Sequence, residues 1–163
     1  MSTEWMGRYR NLVAALVQHS NINTHLDSQK QEIIPGLVLA VQDLQVLEYV
    51  IEHKNEDERM MLISERLGIP QSSFSKIITR LYNLGLVQKY QMVGNKKNII
   101  IKPTEYAEDV YQQYTVDSTA SNMFRPFFEK LDSIDDDTIC QFTDAINSLT
   151  NSLRDNQEKM KDL

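Results

Sequence analysis

Leu62-Ile63-Ser64-Glu65-Arg66-Leu67-Gly68-Ile69-Pro70-Gln71-Ser72-Ser73-Phe74-Ser75-Lys76-Ile77-Ile78-Thr79-Arg80-Leu81, with Leu84-Gly85-Leu86-Val87 just beyond, is the stretch on which the fold turns. Its spacing predicts a short helix from about Arg59 to Leu67, stopped at Gly68-Ile69-Pro70 because glycine leaves a helix easily and proline cannot continue one. A second helix follows from about Gln71 to Asn83. Phe74, Ile78, Leu81 and Leu84 recur at helical spacing and face inward, and Gly85 closes the element. Ile77 is read as part of the same inner face.

After Gly85 the apolar period falls from 3.6 to about 2. Leu86 to Val93 and Asn98 to Lys102 read as two short strands around Gly94-Asn95-Lys96-Lys97, a tight turn whose first residue accepts positive φ. Pro103-Thr104 ends the hairpin, and Thr104 with Glu105 marks a helix start. Two short helices joined by a glycine turn, then a two-stranded hairpin, make a winged helix-turn-helix. The expected fold class is mainly α with a small β-hairpin wing.

Charge points to the same surface. From Arg66 to Thr104 the chain runs 39 residues without Asp or Glu while carrying Arg66, Lys76, Arg80, Lys89, Lys96, Lys97 and Lys102. The whole protein has a net charge of −6, so the other 124 residues hold 10 basic and 23 acidic side chains and sum to −13. Core packing is indifferent to the sign of surface charge, whereas a phosphate backbone is not. A major groove admits a helix whose outer side carries polar side chains able to reach base edges. Gln71, Ser72, Ser73, Ser75, Lys76, Thr79 and Arg80 supply that side, and replacement of Ser73, Ser75, Lys76 or Arg80 is expected to leave the fold intact. Lys96 and Lys97 at the hairpin tip are placed to neutralise phosphates or enter a minor groove, and Asn95 adds a hydrogen-bonding group. Ile77 touching a thymine methyl is the lesser alternative to its core placement.

Outward from this centre, Leu44, Val46, Leu47, Val50 and Ile51 mark a preceding helix, followed by the solvated run Glu52-His53-Lys54-Asn55-Glu56-Asp57-Glu58. Trp5, Tyr9, Leu12, Val13, Leu16 and Val17 form a helical stripe at the N-terminus, and helical structure is expected to continue through the polar stretch from Gln18 to Glu32 until Pro35-Gly36. The 59 residues from Glu105 are helical in pattern. Tyr106, Val110, Tyr111 and Tyr114 lead to Met123, Phe124, Phe127, Phe128 and Leu131, and a break at Asp132-Ser133 precedes Ile139, Phe142, Ile146, Leu149 and Leu153. Asp135, Asp136 and Asp137 sit where the dipole of this last helix favours them. A small winged domain cannot cover both terminal apolar stripes, so they are expected to meet in an intersubunit interface.

The quoted helix-turn-helix, with a long first helix before it and two helices after it, resembles the MarR family of bacterial transcriptional regulators. The resemblance spans nearly the whole chain by architecture and about Leu44 to Ala107 by motif. It implies a cytoplasmic homodimer with interlocked terminal helices, two recognition helices in successive major grooves of a palindromic double-stranded DNA operator, and control by a small ligand or an oxidised cysteine. The implied layout is an N-terminal dimerisation helix over 1–36, the winged DNA-binding domain over 37–104 and C-terminal dimerisation helices over 105–163. The wing departs from the family pattern: many members carry an Asp-x-Arg element where this chain reads Gly94-Asn95-Lys96-Lys97-Asn98.

Other features exclude or refine. With 41% hydrophobic and 25% charged residues the composition is that of an ordinary globular protein. Met1 to Arg10 lacks a signal-peptide pattern and no stretch nears the roughly 18 apolar residues of a membrane span, so no membrane partner is expected. Cys140, the only cysteine, rules out an intrachain disulfide and is expected to be a buried structural thiol, since its neighbours are acidic. His53 among acidic residues reads as a solvated loop before a metal site. Neither a metal nor another cofactor is expected. Tyr9, Tyr106, Tyr111 and Tyr114 read first as packing, with a cleft for a small hydrophobic effector as the alternative. The chain holds no phosphate loop, His-Glu-x-x-His, nucleophile elbow or cysteine-histidine pair, and an enzyme is not expected. A winged-helix module for protein or RNA assembly remains the alternative to an operator reader.

Overall fold

The computed structural model describes residues 4–117 and 120–161, with backbone alone at 4, 92, 96, 117 and 120–123. The chain divides into two compact units, Met1–Asp117 and Ser118–Leu163.

The centre of the first unit is built by α2 (Val41–Glu52), α3 (Met60–Leu67), α4 (Gln71–Asn83) and an antiparallel hairpin of β3 (Val87–Met92) and β4 (Asn95–Pro103). Phe74, Ile77, Ile78 and Leu81 occupy one side of α4 and are all buried, as are Val46, Leu47 and Val50 of α2 and Ile63 of α3. Ile77 therefore belongs to the core. Leu86, Val87, Ile100 and Ile101 close the cluster from the hairpin side. Arg59 bridges to Ile100, which fastens the entrance of α3 to the hairpin.

The two helices of the motif end by the same device. Gly68 and Gly85 adopt φ of 67° and 72°, a left-handed conformation that side chains disfavour. The turn lets the next amide reach back, Ile69 N–H to the Ser64 carbonyl at 3.0 Å and Leu86 N–H to the Leu81 carbonyl at 2.9 Å. Ile69 and Leu86 are then buried, the hydrophobic contact that accompanies such a cap. The wing turn is shorter than the sequence suggests: β4 already begins at Asn95, so the turn narrows to Val93-Gly94, and Gly94 has φ 86°. The Asn95 side-chain oxygen accepts the Lys97 amide at 3.2 Å.

α5 (Glu105–Asp117) follows the wing and packs on α2 and on β1 (Lys30–Ile34). Thr104 starts it, its hydroxyl oxygen accepting the Ala107 amide at 3.1 Å and its proton going to the Gly85 carbonyl at 2.6 Å. The cap of α5 is thereby tied to the end of α4. Tyr111 donates to the Glu48 carboxylate at 3.2 Å across the α2–α5 contact. Burial, with the Glu48 charge second, pushes its phenol up to about 12.

The N-terminal region corrects one expectation. α1 (Arg10–Leu26) follows a short 3-10 stretch, Glu4–Tyr9, and ends well before Glu32. In place of continuing helix, β1 pairs antiparallel with β2 (Leu37–Ala40). Pro35-Gly36 is the hairpin turn and not a helix terminator, because Ile33, Leu37 and Leu39 alternate inward and are buried. The Gly36 amide donates to the Glu32 side chain at 2.9 Å and steadies the turn.

The second unit holds α6 (Ala120–Leu131) and α7 (Asp136–Lys161). Asp135 caps α7, accepting from the Thr138 amide at 2.9 Å and hydroxyl at 2.8 Å, bonds that lower its carboxyl below the usual range. None of the described residues of α1 or α7 is buried in the single chain. Cys140 is exposed, against the expectation of a buried thiol. Among the described residues no helix is long and apolar enough to cross a membrane.

Two measurements check this packing. Phe74→Ala removes a fully buried ring and should destabilise the chain by about 3 to 5 kcal/mol in urea unfolding. Because the folded Tyr111 pKa lies above its ordinary value, its contribution to stability is present below about pH 10 and disappears as pH rises through about 12. An ultraviolet titration should therefore lose a phenolate step near pH 12 in Tyr111→Phe; an unchanged curve would refute the contact.

Candidate nucleic-acid interface

The inward placement of Phe74, Ile77, Ile78 and Leu81 leaves the opposite side of α4 to solvent. Gln71, Ser72, Ser73, Ser75, Lys76, Thr79 and Arg80 are all exposed there. Ser75, Lys76, Thr79 and Arg80 line one shallow, open depression. The Thr79 hydroxyl donates to the Ser75 carbonyl at 2.9 Å, so its proton is used within the helix while its oxygen stays available as an acceptor. Asn95 and Lys97 are exposed on the wing, and the Lys96 side chain lies outside the described residues.

The seven cations of the acid-free segment do not share one role. Arg80 donates through Nε to Asp43 Oδ2 at 3.2 Å and through Nη2 to Asp43 Oδ1 at 2.5 Å. Asp43 is buried at the first turn of α2, its side chain 5% exposed against 51% for Arg80. It also accepts the Ala40 amide at 3.4 Å. The Asp43 hydrogen bond holds the guanidinium pKa above its ordinary value.

Arg66 pairs with the buried Glu58, and both meet the Tyr49 hydroxyl, which donates to Glu58 at 2.7 Å and accepts from Arg66 at 3.1 Å. Lys102 gives its ammonium to the carbonyls of Lys54 at 2.7 Å and Glu56 at 2.8 Å and to Asp57 at 2.9 Å, fastening the loop after α2 to β4. Three of the seven cations are thus neutralised by acids lying just upstream of the segment. Lys89 sits 5.3 Å from the centre of the Tyr82 ring. Lys76 and Lys97 are exposed and have no ion-pair partner among the described residues.

Sequence reasoning treated Arg80 as a free outward cation and missed Asp43. The signal was present: Asp43, Leu47 and Val50 stand at helical spacing on one buried face, and a carboxylate there requires a partner. The tyrosines divide as well. Tyr111 bonds across to α2 and Tyr114 is buried, whereas Tyr106 and Tyr9 are exposed, Tyr9 meeting the Arg8 guanidinium of its own stretch.

Arg80 and Lys76 should consequently part company in stability. Arg80→Ala leaves a buried carboxylate with one long hydrogen bond and should cost about 1 to 3 kcal/mol, contrary to the expectation that its loss is harmless to the fold. Lys76→Ala, exposed and unpaired, should stay within about 0.5 kcal/mol of wild type in the same melt.

No protein-family profile and no curated protein sequence matches the chain. Solved structures do. A MarR/EmrR family transcriptional regulator from Acinetobacter sp. ADP1 superposes with a TM-score of 0.62 at 14% identity, over 90% of this chain and 96% of that one. The PcaV transcriptional regulator of Streptomyces coelicolor, solved with its natural ligand, gives 0.58 at 17% identity, over 94% and 99%. FabT of Streptococcus pneumoniae, solved in complex with DNA, gives 0.54 at 9% identity, over 91% and 96%. At these identities the likeness is one of fold, and the chain is a winged helix-turn-helix protein built on the architecture of the MarR-family transcriptional regulators.

Proposed function

We propose that the chain is a homodimeric regulator that reads double-stranded DNA at a palindromic operator, with α4 in the major groove and the wing on the flanking backbone. The observation that carries this reading is the outer side of α4, a polar surface with Lys76 beside a shallow depression and no acidic residue on its helix. The fold shared with FabT, which was solved on DNA, supports it. Gln71, Ser72, Ser73, Ser75, Lys76, Thr79 and Arg80 would face the bases, and Asn95, Lys96 and Lys97 the backbone.

Dimerisation is proposed from uncovered apolar surface. Trp5, Leu12, Val17 and Ile22 on one unit, and Phe142, Ile146, Leu149 and Leu153 on the other, are all at least 40% exposed. A second copy of the chain is the partner that the fold's symmetry requires for a palindrome. Control by a small hydrophobic effector is part of the proposal, supported by the ligand-bound PcaV of the same fold.

Salt dependence tests the whole reading. With three cations paired to acids, a dimer should offer Lys76, Lys89, Lys96 and Lys97 twice over, giving a log-log salt slope of about −7; all seven free cations would give about −13. Lys97→Ala should weaken binding to selected and random duplexes alike and lower the slope by roughly 2 per dimer. Leu149→Glu should sediment as a monomer with its helical spectrum intact and bind duplexes more weakly. A wild-type monomer at micromolar concentration, or binding indifferent to salt, would favour an assembly module.

A further inference from the structure

The Asp43–Arg80 pair lies at the junction of core and interface. A guanidinium presents two usable edges, one from Nε and one Nη, the other from both Nη atoms. Asp43 occupies the first edge with both carboxylate oxygens. Two donors out of five are engaged, and the group is still half exposed, in the depression shared with Ser75, Lys76 and Thr79. The opposite edge is the one that can meet two adjacent acceptors.

We propose that Asp43 is a positioning residue for DNA reading, holding the Arg80 guanidinium by one edge so that the other is presented, already oriented, to the O6 and N7 of one guanine in each half-site. The inference rests on the DNA reading above. Free arginine side chains lose rotamer freedom when they bind a base; a guanidinium clamped from behind has already lost it. The charge of the pair is largely cancelled, so Arg80 contributes direction and hydrogen bonds where Lys76 contributes charge. Asp43 lies outside the basic segment and touches no nucleotide itself. Its partner shell is complete: the Ala40 amide and Arg80 face it, and both its oxygens are engaged.

The test uses the full chain. Duplexes are selected by wild-type protein from a random-sequence pool, and affinity is measured for the best duplex and for a scrambled duplex of the same length. Arg80→Lys preserves charge but has no second edge. It should keep scrambled-duplex affinity within about twofold, lower selected-duplex affinity by about 10- to 100-fold and flatten one guanine preference per half-site. Asp43→Asn should lose the same preference, and adding Arg80→Lys to it should cost little more, because the two substitutions disable one device. Asp43→Glu should restore part of it.

A purely structural Asp43 would lower both affinities together with the melting temperature and leave the base preference intact, which overturns the proposal. So would Arg80→Lys weakening both duplexes equally, the mark of a phosphate contact. Wild-type protein that enriches no duplex from the pool refutes the DNA reading itself.

Discussion

A carboxylate buried on the inner face of a helix has to be neutralised, and the way Asp43 meets that demand organises the first unit. Its partner, Arg80, comes from the third turn of α4, so the ion pair fixes how α4 lies against α2 in addition to the apolar contacts of Phe74, Ile78 and Leu81. The arrangement recurs once nearby with buried Glu58, and a looser version joins the exposed Asp57 to Lys102. Glu58 takes Arg66 of α3, and Asp57 takes Lys102 of β4, where two loop carbonyls complete the ammonium's bonds. The stretch from Asp43 to Glu58 therefore acts as an acidic backing for a basic sheet of elements. Surface pairs of this kind contribute little individually, but a buried carboxylate stripped of its partner is costly. The penalty for misplacing α4 is electrostatic as well as steric.

This backing changes what the charge segregation means. A run of seven cations without an acid suggests a uniformly positive face, yet the acids are absent from the run because they lie on the opposing elements. What is left without an acidic partner is narrower: among the described residues, Lys76 on α4 and Lys89 and Lys97 of the wing. A protein that neutralises few phosphates depends less on counterion release, and more of its discrimination has to come from oriented hydrogen bonds. In the proposed DNA reading, the serines of α4 and Arg80 would supply bonds of that kind.

The parts legible in sequence were those fixed by local physics. The span of α4 from Gln71 to Asn83 and the stops at Gly68 and Gly85 follow from period and backbone chemistry within a few residues of each site. The β1–β2 hairpin was not read, because Lys30-Gln31-Glu32 is polar and Pro35-Gly36 serves equally as a helix stop or as a turn. The alternation of Ile33, Leu37 and Leu39 separates the two, but only once the turn is placed between them. Arg80 was misjudged for a different reason. Its partner is 37 positions away, and helical geometry gives a half-exposed side chain freedom to point either outward or along the surface to a neighbour. Cys140 was read as buried because its acidic neighbours argue against a reactive thiolate, but that argument bears on reactivity and not on exposure, and the thiol is exposed.

The Asp43 clamp also joins the exposed side of α4 to the rest of the first unit. β2 runs directly into α2, and the Ala40 amide at that joint bonds the same Asp43 oxygen that receives Arg80 Nε. β1, paired to β2, packs in turn on α5. A small shift of the hairpin relative to α2 would move an acceptor that is already at 3.4 Å from its amide, and the guanidinium follows its carboxylate. Packed interiors transmit such displacements without absorbing them, since neighbouring side chains have little free volume. The orientation of one arginine on the outer side of α4 is thus tied to backbone positions at the base of the N-terminal hairpin, where neither the charge nor the polarity of that helix would lead one to look.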